Sequence, residues 1–355
     1  MSEDEKAVLK TITYYDGLDY SLTFNELKTY LFSASQNLDP ERSREGPQRA
    51  SASYGAGISA GLENLKNKKL IEEANGFYFL KGRPGLPSIR KERNEIAKEK
   101  WRKTLKAVRW LQMVPYLRLV FASGSLALKN TAKESDLDVL IAVKHGRIWT
   151  ARLLVILLLS LLGVRRTRYE KVAPDKICLN HFITDKSLYI PRKSIYTAQL
   201  YARLVPLLVE DKKLIDEFCE ANKWVGEYVM GWPGCFKNKK LDIKNKNYPD
   251  FLEDPRFSNR ALREENRDNS KLKAFGEKIL DTKFGDWVES ILRKYQLRRI
   301  NSYHLTHKSG GRVKADDESL EFHPDSPELR IIEKYNKTML RLGFEDLTEK
   351  PSFDN

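Results

Sequence analysis

Sulfur is scarce in this chain. Three cysteines, Cys178, Cys219 and Cys235, are scattered through 355 residues with no Cys-x-x-Cys pair. An odd number at such spacing excludes a disulfide framework and a zinc ribbon, and fits a reducing cytosol. His304 and His307 stand three apart, but no cysteine or histidine cluster nearby completes a zinc site. No Gly-x-x-x-x-Gly-Lys-Ser/Thr loop occurs, which sets the P-loop nucleotide hydrolases aside. The run Gly55-Ala56-Gly57-Ile58-Ser59-Ala60-Gly61 misses a dinucleotide fingerprint, because its last glycine comes one position late and no strong strand precedes it. It reads as the start of a helix. The N-terminal MSEDEKAVLK lacks the apolar core of a signal peptide. Long hydrophobic runs are missing too. The most apolar stretch, Leu153 to Val164, is a dozen residues between Arg152 and Arg165-Arg166, against roughly 20 for a membrane span. It is expected to be a core helix covering a sheet. These absences point to a cytoplasmic protein without a membrane partner.

What is present is charge and enough apolar material to fold. Apolar residues make up 41% and charged residues 32%, with a net charge of +14. Such a surplus favours a polyanionic partner, either nucleic acid or the triphosphate of a nucleotide. The length predicts two or three domains, not a single core.

Residues Leu119 to Val143, LVFASGSLALKNTAKESDLDVLIAV, carry the chemistry. They read as an apolar strand, a Gly124-Ser125 turn, a short polar excursion, and a second apolar strand bearing Asp136 and Asp138. Strand side chains alternate, so the two carboxylates share a side, about 7 Å apart along the strand. Like charges that close repel unless a cation lies between them. Magnesium takes oxygen ligands, and commonly one or two carboxylates together with substrate phosphates. A glycine turn with free backbone N–H groups suits a phosphate. Together these features suggest metal-assisted nucleotidyl transfer.

The stretch resembles the signature of the nucleotidyltransferases of the DNA polymerase beta superfamily. That signature is a Gly-Ser or Gly-Gly, a spacer of about ten residues, and Asp-x-Asp on a hydrophobic strand; here it is Gly124, Ser125, then Asp136, Leu137, Asp138. The resemblance covers some 75 residues. It implies an NTP such as ATP as substrate, Mg2+ or Mn2+ held by Asp136 and Asp138, and triphosphate contact at Gly124 and Ser125. It also implies a third carboxylate on a neighbouring strand. In ICLNHFI the central polar residue is Asn180, which can coordinate weakly through its oxygen but cannot act as a general base. Asn180 is nevertheless the expected third metal position. Glu170, Asp175 and Asp185 are alternatives less naturally placed in a strand, and His181 is expected on the opposite side from Asn180. Lys129 and Lys133 in the spacer are candidates to neutralise phosphate.

The expected fold class is α+β, a mixed-sheet nucleotidyltransferase domain flanked by an N-terminal winged-helix-like domain and a C-terminal, mostly helical region. Residues 1–82 hold three helices closed by a hairpin at Asn75-Gly76, with a capping box at Thr23–Glu26 and a loop from Ser33 to Gly55 before the third helix, Ile58 to Leu70. Residues 83–114 form a basic connecting helix, with a partial apolar stripe of Ile96, Trp101, Leu105 and Val108. The catalytic domain follows at 115–190, with further strands expected at Thr167–Val172 and Ile177–Ile183. Residues 191–235 read as two helices, Ser194–Val209 and Lys212–Met230, with Tyr196 or Tyr201 available to stack on a base. A charged insertion is expected at 236–270. The C-terminal region, 271–355, opens with an amphipathic helix from Lys271 to Ile300, has a turn at Gly310-Gly311, and closes with a helix from Ser326 to Leu342. The leading function is transfer of a nucleoside monophosphate to a hydroxyl. The alternative is a winged-helix, nucleic-acid-binding regulator whose transferase-like domain senses a nucleotide. A third reading has a protein side chain as acceptor.

Overall fold

A computed structural model describes residues 1–33, 49–170, 172–234, 271–307, 311–323 and 326–350. The charged stretch 236–270 and Cys235 lie outside the described residues, as does Gly310.

The N-terminal unit is α1 (Glu3–Gly17), β1 (Leu22–Thr23), α2 (Phe24–Tyr30), α3 (Arg49–Asn67), β2 (Ile71–Ala74) and β3 (Phe77–Leu80), its strands paired in the order β1-β3-β2. Thr23 closes the expected capping box: its Oγ1 accepts from the Glu26 N–H at 3.2 Å and its own N–H donates to Glu26 Oε2 at 3.0 Å. Thr23→Ala should cost about 1 kcal/mol, read as a lower urea midpoint at unchanged slope. At Asn75 and Gly76 the backbone takes φ of 54° and 77°, as a tight two-residue hairpin turn requires. The third helix starts at Arg49, earlier than Ile58, so the glycine-rich run lies inside it. Packing explains those glycines. A Cβ at Gly57 would come within 2.6 Å of the Asp4 carboxylate, so the missing side chain lets α3 lie close against α1.

Helix α4 (Leu86–Leu111) is the expected basic helix, opened by Pro87 in its first turn. Ala97, Trp101, Leu105 and Val108 bury beneath the large sheet. Several of its cations are structural. Arg90 pairs with Glu26 at 2.8 Å. The Lys100 ammonium is sequestered, donating to the carbonyls of Lys133 and Ser135 at 3.0 and 2.8 Å and to Asp175 at 2.8 Å. Asp175 also pairs with Lys103. Much of the basic character of this helix is therefore spent inside the molecule.

The large sheet has six strands in the order β7-β4-β5-β6-β9-β8. β4 (Leu117–Ala122) runs antiparallel to β5 (Leu137–Val143), with the short helix α5 (Gly124–Ala127) after the turn between them. β5 and β6 (Ile177–Thr184) are parallel, joined by the crossover helix α6 (Ile148–Leu161). This is the expected apolar helix, but Val155 and Leu159 face the core while Leu157 and Leu161 are exposed.

Four expectations fail. The described residues of Thr167–Val172 form no strand; only Arg165 bridges to Ile177. Ser194–Val209 is not one helix. α7 (Ile195–Ala202) gives way to β7 (Val205–Val209), an edge strand on β4, where Pro206 is tolerated. Lys212–Met230 divides into α8 (Lys213–Ala221) and a 3-10 turn at Lys223–Glu227. The C-terminal region is mostly helical among its described residues, as expected, but it also carries β8 (Arg312–Ala315) and β9 (Ser319–His323), a hairpin that extends the sheet beyond β6. The expected helix 271–300 breaks after residue 280 into α9 (271–280) and α10 (Lys283–Asn301). α11 (Glu328–Arg341) closes the fold.

The two sheet faces meet different cores. Leu119, Phe121, Leu140, Ala142 and Ile183 join one cluster with residues of α1, α7 and α11. Val120, Val139, Ile141 and Phe182 join another with residues of α4 and α6. The first core runs across the boundary expected at residue 82, so the N-terminal unit shares its interior with the sheet.

Candidate metal and phosphate site

The site forms where β4 ends and β5 begins. The Ser123 N–H donates to the Asp138 carbonyl at 2.9 Å, continuing the ladder past Ala122 and fixing the turn against the second strand. Gly124 then takes φ +61°, and a Cβ there would lie 2.5 Å from Asp138 Oδ2. Both the backbone angle and the carboxylate demand glycine. Gly124→Ala should cost about 1–3 kcal/mol in denaturant unfolding. It should also displace the Asp138 carboxylate and weaken divalent-ion binding, measured by calorimetric titration.

Asp136 and Asp138 come together as their spacing predicts. With Cys178 Sγ, one oxygen from each forms a group whose atoms all lie within 4.8 Å of one another. The register explains the thiol: Asp138 and Cys178 are direct Cα partners on the parallel strands β5 and β6. Asn180 also reaches the site, donating from Nδ2 to Asp138 Oδ1 at 2.8 Å. It therefore holds the carboxylate with its amide hydrogens, and that oxygen of Asp138 receives no carbonyl from it. Arg166 Nη1 donates to Asp136 Oδ2, and the same nitrogen lies 3.9 Å from Cys178 Sγ.

A bulge defeats simple alternation on β6. Between Asp138/Cys178 and Leu140/His181 the pairing advances two residues on β5 and three on β6. His181 therefore faces the same side as Leu140, with Nδ1 3.3 Å from the Tyr201 hydroxyl, and not the side opposite Asn180. Burial, with Arg312, Lys314 and Arg192 around it, pushes the His181 imidazole down to about 3, so it is neutral. Tyr201 is buried, a core role; Tyr196 is half-buried at the start of α7.

Electrostatics mark the same spot. Burial first, and then the charge of Asp136, push Asp138 up to about 7, against the pull of Arg166 and the Asn180 amide. Burial and the same two carboxylates push the Cys178 thiol far above its ordinary range, so it is protonated. A cation among these groups relieves the repulsion that raises Asp138. The two carboxylates fit a hard divalent ion, whereas the thiol is a soft donor that magnesium does not favour and manganese tolerates better.

The remaining candidates lie elsewhere. Asp175 is taken by Lys100 and Lys103, Glu170 pairs with Lys176, and Asp185 accepts from the His145 N–H at 2.9 Å. Lys133 is exposed and gives its carbonyl to Lys100, while Lys129 takes a positive φ of 57° at the end of the α5 turn. His304 is exposed on a 3-10 turn and joins no metal-binding group among the described residues. Sequence reasoning missed Cys178 and Arg166. Cys178 lies two residues before Asn180 on one strand, a signal hidden by treating the cysteines only as disulfide or zinc candidates. Arg166 reads in sequence as a mere flank of the apolar run.

No family model, no curated protein and no solved structure matches the chain.

Proposed function

We propose that the protein is a divalent-metal-dependent nucleotidyltransferase that moves a nucleoside monophosphate from an NTP to a hydroxyl acceptor. The observation that carries this reading is the close packing of the Gly124 turn against a convergent Asp136–Asp138 pair, where a glycine is required by the carboxylate itself. Asp136 and Asp138 would hold the ion, magnesium or manganese, and Gly124 and Ser125 would present backbone N–H groups to the triphosphate. When bound, the metal supplies charge stabilisation for the attacking and leaving oxygens. The acceptor oxygen forms a bond to the α-phosphorus, the bond to the bridging oxygen breaks, and pyrophosphate departs. The acceptor's hydroxyl proton would pass to solvent as the bond to phosphorus forms. Asn180 keeps Asp138 in position.

A second reading is a nucleotide-sensing regulator with weak or no turnover. The Arg166 pairing favours it, because a guanidinium already neutralises Asp136. The order α1-β1-α2-α3-β2-β3 supports a winged-helix assignment for residues 1–82, which such a regulator would use on nucleic acid.

The two separate on incubation with each α-labelled NTP, magnesium or manganese, and hydroxyl-bearing acceptors, namely RNA, DNA or protein. Transfer with pyrophosphate release that vanishes in Asp136→Ala/Asp138→Ala supports the enzyme. Salt-sensitive duplex binding with no transfer above that control, unchanged by the double substitution, supports the regulator and sinks the enzyme reading.

A further inference from the structure

Helices α9 and α10 turn their acids inward, beside Leu280, Leu292, Leu297 and Ile300, which pack into the core shared with α4 and α6. Glu277 accepts from the Tyr116 N–H at 2.7 Å and from Arg118 at 3.0 Å. Asp281 pairs with Lys144 at 2.8 Å and Asp286 with Arg147 at 2.6 Å. Glu289 accepts from the N–H groups of Trp149 and Thr150 at 2.8 and 2.9 Å, at the first turn of α6. Every acid of the two helices is thus turned to the body of the protein.

The outward side is apolar. Phe275, Ile279, Phe284, Trp287, Ile291 and Tyr295 are 63, 47, 56, 60, 44 and 54% exposed. On α10 the last four fall at spacings of three, four and four, one continuous stripe along the helix. Such a stripe in water is costly and needs a cover. Lys278, Lys283, Lys294, Arg298 and Arg299, all exposed, flank it.

We propose that this stripe is an interfacial binding face for an anionic lipid bilayer. Three observations favour that occupant. Aromatic residues flanked by Lys and Arg on one face of a helix are what a headgroup–acyl boundary accepts. A second copy of a chain carrying +14 would bring like charge to like charge at this face. The stripe also leaves the Asp136–Asp138 site free. Asp281 and Asp286 hold Lys144 and Arg147, just past the C-terminal end of β5, whereas Asp138 is at its start, about 20 Å away at a strand's rise per residue. No helix of the described residues is long and apolar enough to cross a membrane. The contact is peripheral, and the expectation of no membrane partner, which rests on the shortness of the run Leu153 to Val164, concerns only spanning segments. The proposal is independent of the transferase reading.

The test is co-sedimentation of the full chain with vesicles of phosphatidylcholine alone and of phosphatidylcholine with phosphatidylglycerol, at low and high salt. Binding is expected only to the anionic vesicles, weakened by salt. Phe284→Ser/Trp287→Ser should reduce it at least about tenfold, and Lys294→Glu/Arg298→Glu by a comparable factor. All four positions are exposed, so melting temperatures should match the parent, which guards against a folding artefact. Equal binding to both vesicle types, or binding unaffected by Phe284→Ser/Trp287→Ser, overturns the proposal. So does a failure to sediment with either. A concentration-dependent dimer in light scattering that the Phe284→Ser/Trp287→Ser protein loses, without vesicle binding, would assign the stripe to a second copy instead.

Discussion

Asp138→Asn should make the protein more stable at pH 8 while removing the divalent-dependent transfer proposed for it. The carboxylate is raised from the ordinary 3.8 to about 7 by burial and by Asp136. The folded state therefore binds this proton more tightly than the unfolded chain does. Its contribution to stability is best when Asp138 is protonated, declines as pH rises from about 4 to about 7, and is level above that. Each pH unit across that interval is worth about 1.4 kcal/mol. Asp138 keeps some contact with solvent, so a gain of about 2 kcal/mol for the amide at pH 8 is the reasonable expectation. Thermal melts of parent and variant should differ most at pH 8 and converge toward pH 4. An amide cannot replace the anionic ligand, so metal-dependent transfer should fall about a thousandfold or more. A variant that is both less stable at pH 8 and unchanged in metal binding would sink the assignment of Asp138. The opposed signs also separate a functional carboxylate from a structural one, whose removal would simply destabilise.

The second large effect is expected at Arg203, just after α7. Its guanidinium lies 3.4 Å from the centre of the Tyr30 ring and 5.0 Å from that of Tyr15. Nε donates to the Tyr15 hydroxyl at 2.9 Å, and Nη1 is 3.7 Å from Glu26. Tyr15 in turn donates to Gln199 at 2.5 Å, and Gln199 donates to the Tyr30 carbonyl at 2.8 Å. This buried network joins α7 to α1 and α2. Arg203→Met should cost about 3–5 kcal/mol, since it leaves Glu26 partly unbalanced and strips the tyrosines of their stacked cation. Arg203→Lys should recover little, because an ammonium lacks the planar face that stacks between the rings. Urea unfolding followed by tryptophan emission should remain one transition, shifted to lower denaturant. Two separated transitions would mean that the N-terminal unit folds apart from the sheet, against the shared core.

Much of the site was legible because its signal is local. The Gly-Ser turn and the Asp-x-Asp pair are set by chain neighbours and a period of two, and the structure brings them together. The capping box at Thr23, the hairpin at Asn75-Gly76 and the basic helix were readable for the same reason. Asn180 was correctly placed beside the carboxylates, though its role is to donate to Asp138. His181 was misjudged because alternation assumes an unbroken ladder, and the bulge on β6 places an extra residue between Cys178 and His181. The Ser194–Val209 helix failed because VPLLV has no turn residue ahead of it, and its strand state depends on β4 offering a free edge.

By itself, the sequence determined which local pieces exist and that one of them concentrates two carboxylates beside a glycine turn. Tertiary structure decided the rest: that Cys178 and Arg166 complete the group, that the final hairpin extends the sheet, and that α9 and α10 turn their aromatic side outward. The physical reason is the range of the forces. Helix caps, turns and strand alternation are settled within a few residues, whereas pairing register, ion-pair partners and the direction a helix faces depend on residues brought together from distant parts of the chain.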